Sequence, residues 1–256
     1  MPTYRSGRHE HGQNFLTDRS TIDSIVGVVS RTDGPIIEIG PGSGALTLPL
    51  QRLNRPITAV EIDAHHARRL RTRVDAHTTV AHADFLHHRL PRTPHIVVGN
   101  LPFHQTTAIL RKLLHTDHWT DAILLVQWEV ARRRAGVGGA TMMTAQWWPW
   151  YEFTLLDRVP AAAFTPRPGV DAGLLMTRRR DVALLDPALR RRYSAFVHAV
   201  FTGSGRGLQQ ILPRAAGASA RPAVRKWLAA QTFRGVALPR DLSPGQWAEL
   251  FAMVDR

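Results

Sequence analysis

The 256-residue sequence contains no cysteine. That excludes disulfides, thiolate metal sites and a cysteine nucleophile, so the fold must rest on packing alone. Lysine is nearly absent too: Lys112 and Lys226 are the only two, and the rest of the 33 basic residues are arginine. No apolar run is long enough to span a bilayer, and the opening MPTYRSGRHEHGQNF lacks the apolar stretch of a secretory signal. The expectation is a soluble, cytoplasmic protein with no membrane association, and nothing in the sequence asks for more than a monomer. The 13 histidines include the pairs His65-His66 and His87-His88, but they form neither an H-E-x-x-H motif nor a Cys/His framework. They read as surface or turn residues, and no metal is expected. Internal repeats and low-complexity tracts are missing as well.

What is present is cationic. The 33 Lys and Arg oppose 20 Asp and Glu, a net charge of +13. A GC-rich coding bias accounts for arginine in place of lysine but not for the excess of positive charge. Guanidinium binds phosphate in a bidentate fork and stacks on bases, so an arginine-dominated basic chain favours a nucleic-acid partner.

Along the chain, short β-branched runs alternate with amphipathic segments of helical length. Candidate strands are PIIEIG (35–40), ITAVEI (57–62), TTVAHA (78–83), HIVVGN (95–100), AILLVQW (122–128), YEFTLLDRV (151–159) and AGLLMTRR (172–179). Helical spacing of Leu46, Leu50 and Leu53, and of Ile109, Leu110, Leu113 and Leu114, separates strands among the first five. This alternation predicts βαβ units and an α/β fold with a seven-stranded, mostly parallel sheet. The linker between the last two strands is too short for a comfortable helical crossover, so these two should form an antiparallel pair at one edge. After Arg180 the strand pattern stops and helical periodicity takes over. Two domains are expected, 1–180 and a small helical 181–256, the latter itself basic with 11 Arg and Lys against five Asp and Glu.

The chemistry gathers at strand ends. In IIEIGPGSGALT, Glu38-x-Gly40-x-Gly42-x-Gly44 leaves the first strand and enters a helix. Glycine there permits a positive φ and a close ligand approach, and the helix start suits an anionic group. Glu61 ends the second strand, where an acid can accept both hydroxyls of a ribose. Asp84-Phe85 ends the third, where the carboxylate can accept from an adenine amine while the ring packs nearby. Each acid alone could be a cap or turn residue. Three in order, at the edge where open α/β sheets bind ligands, argue for a nucleotide-like ligand. At the end of the fourth strand, Pro102 cannot donate to a ladder and biases Leu101 towards extended geometry, so Asn100 and Phe103 are presented in a stiff exit.

Together, Gln13-Asn14-Phe15-Leu16, Glu38 to Gly44, Glu61, Asp84, Asn100-Leu101-Pro102-Phe103 and FTPRPGVDAG from Phe164 resemble the rRNA adenine N6-methyltransferases, in order through residues 13 to 179. These include the small-subunit rRNA dimethyladenosine transferases and the erythromycin-resistance (Erm) enzymes of 23S rRNA. The segment 124–153, with Gln127-Trp128-Glu129 and the Trp147-Trp148 pair, is most similar to Erm enzymes of actinomycetes. The resemblance implies a Rossmann-like class I methyltransferase domain (1–180), a helical RNA-binding domain (181–256), S-adenosylmethionine as cofactor and 23S rRNA, at an adenine of the peptidyl-transferase region, as partner. It also implies the contacts: Gln13, Asn14 and Leu16 over the methionine end, Gly40 and Gly42 admitting it, Glu61 with Ile62 at the ribose, and Asp84 with Phe85 at the adenine. Asn100 would serve both ligands, its side-chain carbonyl and the Leu101 carbonyl accepting from the target adenine's N6 amine while Pro102 and Phe103 complete the catalytic motif. Resistance to macrolides, lincosamides and streptogramins would follow, the alternative within the family being adenine dimethylation of 16S rRNA.

Two other classes compete. A non-catalytic RNA-binding factor on the same fold is opposed by the intact Asn100, Pro102 and Phe103. A nicotinamide oxidoreductase is opposed by the G-x-G-x-G spacing and the lack of an acid or base for a hydride site. Trp147, Trp148 and Trp150 are read as core packing rather than an RNA-stacking platform, and Arg132, Arg133 and Arg134 as a solvated helix end that complements the dipole.

Overall fold

The computed structural model describes residues 14–233 and 235–255. Its strands in chain order are β1 (Phe15–Leu16), β2 (Ile36–Ile39), β3 (Ile57–Glu61), β4 (Thr78–His82), β5 (His95–Asn100), β6 (Trp119–Gln127), β7 (Tyr151–Val159), β8 (Phe164–Thr165) and β9 (Ala172–Arg179). Helices α1 (Arg19–Val29), α2 (Thr47–Leu50), α3 (Ala64–Arg71) and α4 (Thr106–Leu114) accompany the first strands, and α5 (Trp128–Arg134) and α6 (Met142–Trp147) lie between β6 and β7. The chain ends in α7 (Arg190–Thr202), α8 (Leu208–Ala215), α9 (Gly217–Ala230) and α10 (Pro244–Val254).

Among the described residues, seven strands form one sheet in the order β4-β3-β2-β5-β6-β9-β7. The β4-β3, β3-β2, β2-β5 and β5-β6 ladders are parallel. Their continuous apolar runs follow from burial on both faces: Ile36, Ile57, Ile96, Val97, Val98, Leu124 and Leu125 are all inaccessible or nearly so. The chain winds outward from β2 to β4, then returns to place β5 on the other side of β2. The carboxyl ends of β2 and β5 therefore flank the point where strand order reverses, the crevice where ligands of open α/β sheets bind.

The expected antiparallel pair is β9 and β7, and β7, though earlier in the chain, takes the outer edge. Trp128 N–H donates to the Asp171 carbonyl (2.9 Å), joining the end of β6 to the start of β9, and Arg180 N–H donates to the Trp150 carbonyl (3.0 Å), joining the end of β9 to the start of β7. The short strands β1 and β8 pair outside this sheet, Phe15 opposite Thr165 and Leu16 opposite Phe164. Two residues per strand carry no readable alternation, so neither was expected.

Packing divides the chain into two compact units. One holds the described residues up to Ala131 together with Leu156–Met176. The other holds Arg132–Leu155 with everything from Thr177 onward, so residues 132–155 pack with the C-terminal helices. The tryptophans explain this. Trp147, Trp148 and Trp150 are buried, with Trp147 and Trp150 set edge-on at 6.4 Å, Trp150 on Tyr193 at 5.6 Å and Tyr193 on Phe251 at 5.3 Å. They are core, as expected, with geometry that suits ring quadrupoles. Among the described residues no helix is long and apolar enough to cross a membrane.

Candidate active site

At the end of β2 the chain turns through Gly40 (φ 61°) and Gly42 (φ 54°), conformations that a β-carbon would strain. A β-carbon on Gly42 would also fall 2.9 Å from the Phe15 ring, whereas one on Gly40 would meet nothing within 4 Å. Gly42 is thus needed for packing against the N-terminal segment, and Gly40 for an open approach to the backbone. Glu61, fully buried at the end of β3, ties this turn down: Oε2 accepts from Gly42 N–H (2.9 Å) and Oε1 from Asp63 N–H (2.8 Å). The carboxylate staples two strand ends together while retaining acceptor capacity on each oxygen.

Across the crevice, Leu101 N–H continues the ladder to the Leu125 carbonyl (3.0 Å), so the backbone is fixed up to Pro102. Asn100 Nδ2 donates to the Asn14 carbonyl (2.7 Å). That bond sets the amide's orientation, because the opposite flip would place two oxygens face to face. Asn100 Oδ1 accepts from no other described residue. Asn14, Phe15, Gly40, Gly42 and the run Asn100–Phe103 enclose a cavity of about 40 Å³, room for a water or so. Phe103 is half-buried, packed against the main core cluster.

Beside the turn, Glu38 is buried and its Oε2 has no hydrogen-bond partner. Burial, only partly offset by Thr47 and reinforced by the nearby Glu61 charge, pushes its carboxyl up to about 7. Of the other expected residues, Leu16 is buried in the core cluster, Ile62 is 42% exposed and Gln13 lies outside the described residues. Asp84 accepts from Leu86 N–H through Oδ1 and from the exposed His87 through Oδ2, each at 2.8 Å. Phe85 is buried with the Lys112 ammonium 4.9 Å from its ring centroid. The structure therefore brings Asn14, Gly40, Gly42 and Asn100–Phe103 to one cavity. Leu16, Glu61, Ile62, Asp84 and Phe85 do not line it.

The donor set suits a ligand that is both cationic and nucleoside-like: an orphaned buried carboxyl oxygen, an unobstructed glycine backbone, and acids at two adjacent strand ends. Among the described residues no cluster of His, Asp or Glu could hold a metal ion. Asn14 and Phe15 stand in a motif read from the sequence, but the roles of the Asn14 carbonyl and the Phe15 ring arise through tertiary approach and left no signal of their own. Lys112 was missed, although it is a rare lysine in an arginine-rich chain.

The ribosomal RNA adenine dimethylase family model matches residues 4–254. An rRNA adenine N-6-methyltransferase of Corynebacterium diphtheriae is 58% identical over 84% of this chain and 85% of its own length. The mycinamicin-resistance protein MyrB of Micromonospora griseorubida is 48% identical over 96% and 79%. Among solved structures, the 23S rRNA methyltransferase ErmE superposes with a TM-score of 0.85 at 35% identity, covering 95% of this chain and all of that one.

Proposed function

The chain belongs to the ribosomal RNA adenine dimethylase family and is an rRNA adenine methyltransferase close to the Erm enzymes; from that premise we propose that it moves methyl groups from S-adenosylmethionine to N6 of an adenine in 23S rRNA, with macrolide-type resistance as the outcome. The observation that carries the reading is the pinned Asn100 amide, its nitrogen held by Asn14 and its oxygen without a partner among the described residues.

The cofactor, when bound, supplies an electrophilic methyl on a sulfonium. Glu38 offers its orphaned oxygen to the positive charge of the methionine end, beside Gln13, Asn14, Leu16 and the Gly40 and Gly42 backbone. Glu61 with Ile62 holds the ribose, and Asp84 with Phe85 the adenine. Asn100 Oδ1 and the Leu101 carbonyl accept both hydrogens of the target N6 amine. An exocyclic amine delocalises its lone pair into the ring, and fixing its hydrogens favours the pyramidal form that frees the pair for attack. The same oxygens stabilise the cationic amine before it sheds a proton, so no strong base is needed. Phe103 stacks on the base, flipped from its helix into the site. Arginines and the basic 181–256 segment neutralise phosphate.

If Phe103 stacks, Phe103→Leu, which keeps volume but loses the π face, is expected to lower transfer by roughly 1 to 3 kcal/mol, with Tyr or Trp retaining more. Transfer rates read beside thermal midpoints decide this, since loss that tracks melting means packing. Glu61→Ala is expected to weaken cofactor binding by roughly 1.5 to 3 kcal/mol while cofactor-free RNA affinity holds. Glu61→Gln should recover little of it, because one of the two staple N–H groups then faces an amide donor. Calorimetry showing wild-type cofactor affinity in Glu61→Ala would remove Glu61 from the site.

The target is tested by competing naked 23S and 16S rRNA for radiolabelled methyl groups and mapping the product. Incorporation in 23S rRNA, with macrolide tolerance in a sensitive host, supports the reading. Label confined to 16S rRNA overturns it.

A further inference from the structure

The turn that follows β4 is held from below by a single side chain. Lys112, on α4, donates from Nζ to the carbonyls of Phe85 (2.6 Å), Leu86 (3.0 Å) and His88 (2.5 Å). An ammonium has three N–H groups, and all three are spent on one turn. The same cation lies 4.9 Å from the centroid of the Phe85 ring, which is buried. Burial pulls the Lys112 ammonium below the usual lysine range, with the Asp84 charge acting against that pull. A group used only for solubility would not be placed so. An ammonium carries its three donors on one nitrogen and so converges them on carbonyls one and two residues apart, whereas a guanidinium spreads its donors around a plane. That gives a physical reason for one of the chain's two lysines to stand here, where nearly every other cation is arginine.

Asp84 heads this turn, and its Oδ1 is fixed by the N–H of Leu86, the residue whose carbonyl Lys112 holds. Among the described residues its Oδ2 meets only the exposed His87, which is free to swing away. The direction of the carboxylate is thus set by a backbone that Lys112 immobilises.

We propose that Lys112 is a positioning residue that fixes the Phe85–His88 backbone so that Asp84 meets the exocyclic amine of the cofactor's adenine, and that it thereby sets the site's selectivity for adenine over other purines. The proposal rests on the assignment of Asp84 to the adenine end. Lys112 touches no ligand itself.

The test compares calorimetric binding of S-adenosylhomocysteine and S-inosylhomocysteine, in which a carbonyl replaces the amine, to the full-length wild type and to Asp84→Asn, Lys112→Met and Lys112→Arg. Wild type is expected to prefer the adenosyl ligand. Asp84→Asn should narrow that preference, and both Lys112 variants should narrow it roughly tenfold, through weaker adenosyl binding, on the scale of one hydrogen bond to a charged group. Inosyl affinity should stay within about twofold, since that ligand never made the bond. The preference is a ratio read on folded samples, so a lower melting temperature does not by itself move it. Lys112→Arg guards against a misfolding Lys112→Met, because it keeps the charge and stem while losing the three-way geometry. Wild-type preference in both Lys112 variants alongside a narrowed one in Asp84→Asn would overturn the proposal alone. Equal weakening of both ligands would reduce Lys112 to a structural clamp and overturn it too. An unchanged preference in Asp84→Asn would instead remove the assignment of Asp84 on which the proposal stands.

Discussion

Replacing Asn100 with alanine is expected to slow single-turnover methyl transfer by roughly 10²- to 10³-fold, about 2.7 to 4 kcal/mol of barrier, the scale seen when one preorganised group facing developing charge is removed. Cofactor affinity should change only modestly, because the residues assigned to the ribose and adenine are untouched. Asn100→Asp is the sharper variant. It puts an oxygen where Nδ2 now meets the Asn14 carbonyl at 2.7 Å, so it keeps an acceptor for the amine but repels the segment that orients it. Activity should be as low as in the alanine variant, with the Asn14–Leu16 segment losing hydrogen-exchange protection. Rapid-quench measurement of labelled methyl on RNA reads the first effect. Near wild-type rates in Asn100→Ala would dismantle the mechanism.

The second large effect is a dependence of stability on pH through Glu38. Its carboxyl is raised from 4.5 to about 7 in the folded chain by burial. The folded state therefore holds a proton that the unfolded state has released anywhere between these values. Stability from this group is complete below pH 4.5 and is lost as pH rises towards 7, up to about 3 kcal/mol at roughly 1.4 kcal/mol per unit. Glu38→Gln carries no such proton, so the variant is expected to gain on wild type as pH rises through this window and to hold the gain above it. Urea unfolding at pH 5 and pH 8 measures the difference. A wild-type and variant gap that does not move with pH would show that Glu38 is ionised in the free protein. Because the proposed methionine end is cationic, cofactor binding near pH 6 should also release a proton, visible as a dependence of binding enthalpy on buffer ionisation.

Much of this was legible in the chain. The seven sheet strands were foreseen to within a few residues because the β-branched runs end near Gly, Pro or acidic residues, which are disfavoured in strands. The site motifs were legible because each sits at a strand end. The Asn14 carbonyl was not, since a backbone acceptor 86 residues from its donor leaves no trace in side-chain identity. The same holds for Phe15 against Gly42 and for the β1–β8 pair, which arise from long-range approach. Residues 132–155 packing with the C-terminal helices was equally hidden, because the tryptophan periodicity announces burial without naming the partner surface.

The sequence by itself therefore determined the local grammar: a parallel α/β core, a glycine turn, two acidic strand ends, a stiff Asn-Leu-Pro-Phe exit, a basic surface and no thiol chemistry. These follow from residue type and spacing, which act over a few bonds. Tertiary structure alone decided that β9 inserts between β6 and β7, that the Asn100 amide is turned by Asn14, that burial raises the Glu38 carboxyl to about 7 and that Lys112 grips a turn 24 to 27 residues away. Each depends on burial or on a distance closed by the whole fold, and neither quantity exists until the chain has packed.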